Sequence, residues 1–153
     1  MKKIIALLIL LATCIGLVGC DEESTPSDEP TPNVEQLLYE DENIKVTFIE
    51  IFETGGLSGY CYLRLKVENK SDKTVIIVPD DSYINDTEQR LLSGSPMELA
   101  PGKKSLSPFF FSYGNLGITS KDEIEKIEFK IRAVDEHYDT LFETDILVIE
   151  FNK

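Results

Sequence analysis

The sequence YCYLRLKVE at residues 60–68 alternates apolar and polar side chains without interruption. Cys61, Leu63, Leu65 and Val67 fall on one side of an extended backbone, and the tyrosines and charged residues between them fall on the other. A period of two is typical of a β-strand that buries one face. This stretch therefore predicts a strand whose cysteine faces the core.

The same period recurs on both sides of this stretch. Ile44, Val46 and Phe48 alternate with polar residues, and the pattern continues to Ile51 after a change of face that predicts a β-bulge. Further strands are predicted at residues 74–78, where Pro79 is expected to end the strand, and at residues 105–113, 127–133 and 147–151. Residues 83–92 predict one or two weak strands.

Turn signals separate these strands. Glycines at residues 55–59, the polar cluster at 69–73 and Pro101-Gly102 each favour a reversal of the chain, and Ser120 with Glu123 has the spacing of a capping box that opens a helical turn. About seven short strands without β-α-β spacing predict an all-β protein: an immunoglobulin-like antiparallel β-sandwich with one short helical turn. A small barrel is the alternative.

The first nineteen residues differ in composition from the rest. Lys2 and Lys3 precede an uncharged, apolar run that ends at Gly19, as in a secretory signal peptide. The end of this run, Leu17-Val18-Gly19-Cys20, resembles the lipobox of bacterial lipoprotein precursors. An uncleaved anchor helix is the alternative, and the run is short for a transmembrane span.

The resemblance to lipoprotein precursors implies the fate of the mature chain. Cleavage after residues 1–19 leaves Cys20 at the N-terminus carrying diacylglycerol, whose two acyl chains hold a protein stably in a lipid bilayer. Residues 20–36 then form an acidic tether rich in Pro, Ser and Thr, which is expected to be disordered because it has little apolar surface to bury. The domain at residues 37–153 is expected outside the cell membrane.

The charge of the chain limits its partners. The formal net charge is −13, and removal of Lys2 and Lys3 with the leader makes the mature chain −15. Nucleic acid is excluded as a partner because its binding depends on clustered Lys and Arg. The acidity also opposes adhesion to anionic lipid, so membrane contact is assigned to the N-terminal lipid.

A second resemblance concerns the domain. A strand ending in VENKS at residues 67–71, a turn with the sequence LAPGKK at residues 99–104 and an aromatic strand near Phe109 are similar to the uncharacterised immunoglobulin-like domains of Gram-positive lipoproteins. The resemblance covers residues 40–152 and implies the fold and the extracytoplasmic address. It implies no catalytic residues.

Residues that could carry chemistry are few. The chain has one histidine, His137, and the leader and the lipid anchor account for two of its three cysteines, so neither a nucleophile with its base nor a zinc site is predicted. We expect no enzymatic activity and no cofactor. Calcium binds oxygen ligands, and it is the one metal for which this chain has many ligands. Its weak candidate ligands are Asp80, Asp81, Asp86, Asp135, Glu136 and Asp139.

Aromatic residues supply the candidates for partner binding. Phe109, Phe110 and Phe111 place rings on both sides of one strand, and Tyr60 and Tyr62 lie opposite the buried side of another. Because only one face of a strand reaches the core, some of these rings must be covered by a loop, by the helical turn or by another molecule. Tyr60, Tyr62 and Phe110 are the candidates for binding an envelope protein or polymer. The resulting hypothesis is a non-enzymatic binding or accessory module at the cell envelope, with a structural envelope lipoprotein or a calcium-binding surface domain as alternatives.

Overall fold

A computed structural model describes residues 35–55 and 59–151. The predicted signal peptide, Cys20 and most of the predicted tether lie outside these residues. Gln36, the last residue assigned to the tether, is the first residue of a strand. The described residues form eleven strands: β1 Gln36–Glu40, β2 Ile44–Phe52, β3 Tyr60–Asn69, β4 Val75–Ile84, β5 Thr87–Glu88, β6 Leu92–Ser93, β7 Met97–Leu99, β8 Lys104–Ser112, β9 Lys126–Val134, β10 Thr140–Glu143 and β11 Leu147–Glu150.

The strands form two antiparallel sheets. The first sheet has the order β1-β2-β3-β8-β6, and the second has the order β10-β9-β4-β5, with β11 paired to β9 and β7 paired to β4. In the first sheet, β2, β3, β8 and β6 follow the A-B-E-D order of an immunoglobulin domain. In the second, β11, β9, β4 and β5 follow the order G-F-C with an added C′ strand. The predicted immunoglobulin-like β-sandwich is confirmed, and the barrel alternative is wrong.

The core lies between the two sheets. Cys61, Leu63, Leu65 and Val67 are fully buried, as the period of two at residues 60–68 predicts. Phe109 and Phe111 of β8 and Phe129 of β9 are its largest fully buried side chains. Within the described residues, the fully buried members of the core cluster run from Ile44 to Ile149, and Leu38, Tyr39 and Phe151 pack against them.

The strand predicted to end at Pro79 continues past it. Pro79 pairs with Ile131 of β9, and β4 extends to Ile84 across a bulge after Asp80. On the other side of β4, β7 pairs only as far as Ile77, and β5 pairs only from Tyr83. Proline has no N–H to donate, and it is tolerated in a strand where no neighbouring strand needs that hydrogen bond. Pro79 lies in the gap between β7 and β5, so it does not end β4.

The remaining differences from prediction concern short elements. Strands β1, β5, β6, β7 and β10 have two to five residues, too few to show a period. The predicted helical turn is present as a 3-10 helix at Lys121–Glu123, where the Glu123 carboxylate accepts the Ser120 N–H at 3.2 Å. A second 3-10 helix, Tyr113–Asn115, was not predicted.

Candidate binding surface

The three predicted partner-binding residues lie together on the outer side of the first sheet. Tyr62 of β3 pairs with Phe52 of β2 on one side and with Phe110 of β8 on the other, and Phe110 pairs with Leu92 of β6. Directly paired residues of an antiparallel sheet project on the same face. Because Cys61 faces the core, this row of four apolar side chains crosses four strands on the outer face.

A second apolar line runs along β8 and crosses this row. Leu106, Pro108 and Phe110 are successive outward residues of β8, opposite Lys66, Arg64 and Tyr62 of β3. Leu106 is 59% exposed and Leu92 is 38% exposed. We call this surface the aromatic face and define it by the following residues: Phe52, Tyr60, Tyr62, Leu92, Leu106, Pro108 and Phe110.

The rings of the aromatic face pack on one another. Phe52 and Tyr62 stack with their centroids 5.2 Å apart, and Tyr60 meets Phe110 edge-on at 6.0 Å. The guanidinium of Arg64 lies over the Phe52 ring, 4.4 Å from its centroid, and pairs with Glu50. All four rings are only half-buried, so they remain partly open to solvent.

Alternation in the sequence indicates Tyr60, Tyr62 and Phe110 but not the other residues of the aromatic face. Phe52 lies beyond the β2 bulge, which shifts the register after Phe48 and reverses which residues face outward. Leu92 belongs to a two-residue strand whose pairing the sequence does not reveal. Arg64 was part of the outward pattern, but its place over Phe52 depends on the register between β2 and β3.

The first group of calcium candidates pairs with cations of β9. Asp80 Oδ2 lies 3.0 Å from Arg132 Nε, Asp81 Oδ2 lies 3.1 Å from Lys130 Nζ, and Asp86 Oδ1 lies 2.6 Å from Lys126 Nζ. Hydrogen bonding to these carboxylates raises the pKa of Lys126 and of Lys130. These three carboxylates therefore neutralise a line of cations on the outer face of the second sheet.

The second group shapes the turn between β9 and β10. Asp135 Oδ1 accepts the N–H groups of His137 at 2.9 Å and of Asp139 at 3.0 Å, and these bonds lower the pKa of Asp135. Asp139 takes part through its backbone, and Glu136 Oε1 lies 3.6 Å from His137 Nε2. In residues 35–55 and 59–151, no three His, Cys, Asp or Glu side chains are grouped as metal ligands.

A small cavity of about 270 Å³ lies at the end of the sandwich where β3 begins. Its lining includes Tyr113, whose hydroxyl donates to Glu53 Oε1 at 2.5 Å, and burial together with this bond raises the pKa of Tyr113. Burial raises the pKa of the neighbouring Cys61 thiol to about 11. Cys61 is thus a buried thiol that stays protonated at neutral pH.

Comparisons with known proteins add little to this description. No family model matches the chain, and no curated protein matches it. Among solved structures, it is similar to the GAE domain of GGA2p from Saccharomyces cerevisiae, with a TM-score of 0.48 and 12% identity over 78% of this chain and 98% of that one. In the described part of the chain, no helix is long and apolar enough to cross a membrane.

Proposed function

We propose that the chain is an extracytoplasmic lipoprotein, held at the cell membrane by a diacylglyceryl group on Cys20. Its immunoglobulin-like domain binds a macromolecule of the cell envelope and catalyses no reaction. The proposal for the anchor rests on the leader and the lipobox at residues 1–20. The proposal for binding rests on the aromatic face.

The composition of the aromatic face favours binding. Protein interfaces are enriched in Tyr, Phe and Arg and depleted of Lys, Glu and Asp at their centres. The centre of this face holds Tyr60, Tyr62, Phe110 and Phe52, with Arg64 beside them, in a chain that contains 28 Asp and Glu residues. Leu106 and Leu92 extend the apolar surface on the β8 side.

The placement of the reactive side chains favours a non-enzymatic role. Cys61 lies in the core at the start of β3, and His137 lies in the exposed turn between β9 and β10. Thr74 and Ile76 line a groove together with His137. These two residues follow the C-terminal end of β3, whereas Cys61 lies at its N-terminal end, so the thiol and the imidazole are at opposite ends of the sandwich.

The anchor is tested by labelling cells with radioactive palmitate. The wild-type chain is expected to incorporate the label. Cys20→Ser is expected to remain an unlabelled, uncleaved or untethered precursor, because only a thiol accepts the diacylglyceryl group. Equal labelling of the two proteins would contradict the anchor.

Binding is tested by placing a photoactivatable amino acid at single exposed positions in cells. Leu106 on the aromatic face and Val148 on the outer face of the second sheet are 59% and 39% exposed, so both tolerate the change. We expect a crosslinked species from position 106 that Phe110→Lys abolishes, and none from position 148. Equal crosslinking from both positions would contradict binding through the aromatic face.

A further inference from the structure

The outer face of the first sheet is nearly neutral, unlike the rest of the chain. Lys45, Arg64, Lys66 and Lys104 project from it beside Glu40, Glu50 and Glu68, and the carboxylate of Glu35 pairs with Lys66. The whole chain carries a net charge of −13. Two copies of so acidic a chain repel each other, and this face is where that repulsion is smallest.

The charges on this face alternate in sign across the strands. Glu40 of β1 pairs with Lys45 of β2, Lys45 pairs with Glu68 of β3, and Glu68 pairs with Lys104 of β8. The row of four apolar residues crosses the sheet at the opposite end of the same face. The face therefore has an apolar half and a half in which both signs of charge alternate.

A surface of this kind is complementary to itself. In a two-fold dimer the same patch meets its own copy, so a patch of one sign would repel itself, whereas a patch with alternating signs can pair opposite charges. The apolar half provides a centre that excludes water, and the charged half provides a polar rim. β-Sheets pack face to face about 10 Å apart with their side chains interdigitated.

We propose that the aromatic face binds the aromatic face of a second copy of this chain. This inference rests on the proposed function, because it names the partner of the same surface. The N-terminal lipid would confine both copies to one membrane and raise their effective concentration. A weak affinity in solution is therefore enough for the dimer to form on the membrane.

Sedimentation equilibrium of the mature chain, residues 20–153 with Cys20→Ser, tests this inference. We expect a reversible monomer–dimer equilibrium. Tyr62→Lys buries a charge at the centre of the interface and is expected to raise the dissociation constant about 30-fold. Val148→Lys, on the outer face of the other sheet, is expected to leave it unchanged.

A second variant controls for the case in which Tyr62→Lys does not fold. Leu106 is 59% exposed, and Leu106→Glu places a carboxylate opposite Lys66 in the monomer, so the fold tolerates it. It is expected to weaken the dimer about tenfold.

Two results would overturn the inference. One is a chain that stays monomeric up to about 1 mM, which is of the order of the effective concentration that tethering provides. The other is a dimer that neither Tyr62→Lys nor Leu106→Glu weakens. If the chain is monomeric but position 106 still crosslinks in cells, the partner is another envelope molecule. The inference then fails and the proposed function stands.

Discussion

The side-chain amide of Asn69 donates to the carbonyl oxygen of Leu99 at 2.9 Å, across thirty residues of sequence. The same Nδ2 donates to Lys73 O at 2.7 Å, and Asn69 Oδ1 accepts the Ser71 N–H at 3.0 Å. Asn69 is fully buried at the end of β3. One amide therefore bonds to backbone groups of the turn after β3 and of the last residue of β7 at this end of the sandwich.

Asn69→Leu is expected to lower the free energy of unfolding by about 3 kcal/mol, because the carbonyl oxygens of Leu99 and Lys73 lose the buried amide that donates to them. Urea denaturation measures this change. Asn115→Ala serves as the control, since Asn115 is exposed, and is expected to change stability by less than about 0.5 kcal/mol. Equal effects of the two substitutions would show that Asn69 does not organise the loops.

Thr144 bridges the break between β10 and β11. It is buried, its Oγ1 accepts the Ile131 N–H at 3.1 Å, and its own N–H donates to Ile131 O at 3.0 Å. Thr144→Val is expected to cost about 1–2 kcal/mol of stability because the buried Ile131 N–H loses its acceptor. Urea denaturation measures this change. Thr140→Val, at an exposed position of β10, is the control and should leave the free energy of unfolding nearly unchanged. A neutral Thr144→Val would refute this account of the break.

Cys61 is expected to resist thiol reagents in the folded protein. Cys61 is fully buried, so a reagent cannot reach its sulfur. Its pKa is raised to about 11, so little of the thiol is ionised to the reactive thiolate at pH 8. In the mature chain with Cys20→Ser, Cys61 is the one remaining thiol. We expect labelling only after unfolding in guanidinium, whereas an added Leu106→Cys reacts at once. Rapid labelling of Cys61 in the native state would mean that β3 is shifted by one residue.

Calcium and magnesium are expected to give the same melting curve at equal ionic strength. Asp80, Asp81 and Asp86 pair with β9 cations, and Asp135 shapes a turn, so either ion acts only by screening the net negative charge. A true site at a hundred times its dissociation constant would add about 2.7 kcal/mol, or several degrees. A calcium-specific shift lost in Asp80→Asn with Asp81→Asn, or in Asp135→Asn with Asp139→Asn, would contradict this expectation.

The sequence predicted the parts of the fold that local periodicity determines. Burial alternates over all ten residues of β3 and over the first eight residues of β9, and their buried faces agree with the prediction. The continuation of β4 beyond Pro79 was not predictable, because it depends on which neighbours leave a gap along its edge. A proline has no local signal that distinguishes the end of a strand from an unpaired edge.

The candidate surface was predictable only residue by residue. Alternation places Tyr60, Tyr62 and Phe110 on outward faces, but only the register between strands brings Phe52, Tyr62, Phe110 and Leu92 into one row. The surroundings of the acidic candidates also depend on the register between strands. Asp80, Asp81 and Asp86 form a dense cluster in the sequence, and the strand beside them supplies a cation for each.

Tyrosine modification followed by mass spectrometry tests the central claim most directly, because the chain contains its own controls. Tyr60 and Tyr62 lie on the aromatic face, whereas Tyr83 and Tyr138, which are 40% and 63% exposed, lie outside it. The purified, unlipidated mature chain, diluted until it is monomeric, should be modified at all four positions. In intact cells, the account predicts that Tyr60 and Tyr62 become protected while Tyr83 and Tyr138 stay reactive. Equal modification of all four tyrosines in cells would contradict it.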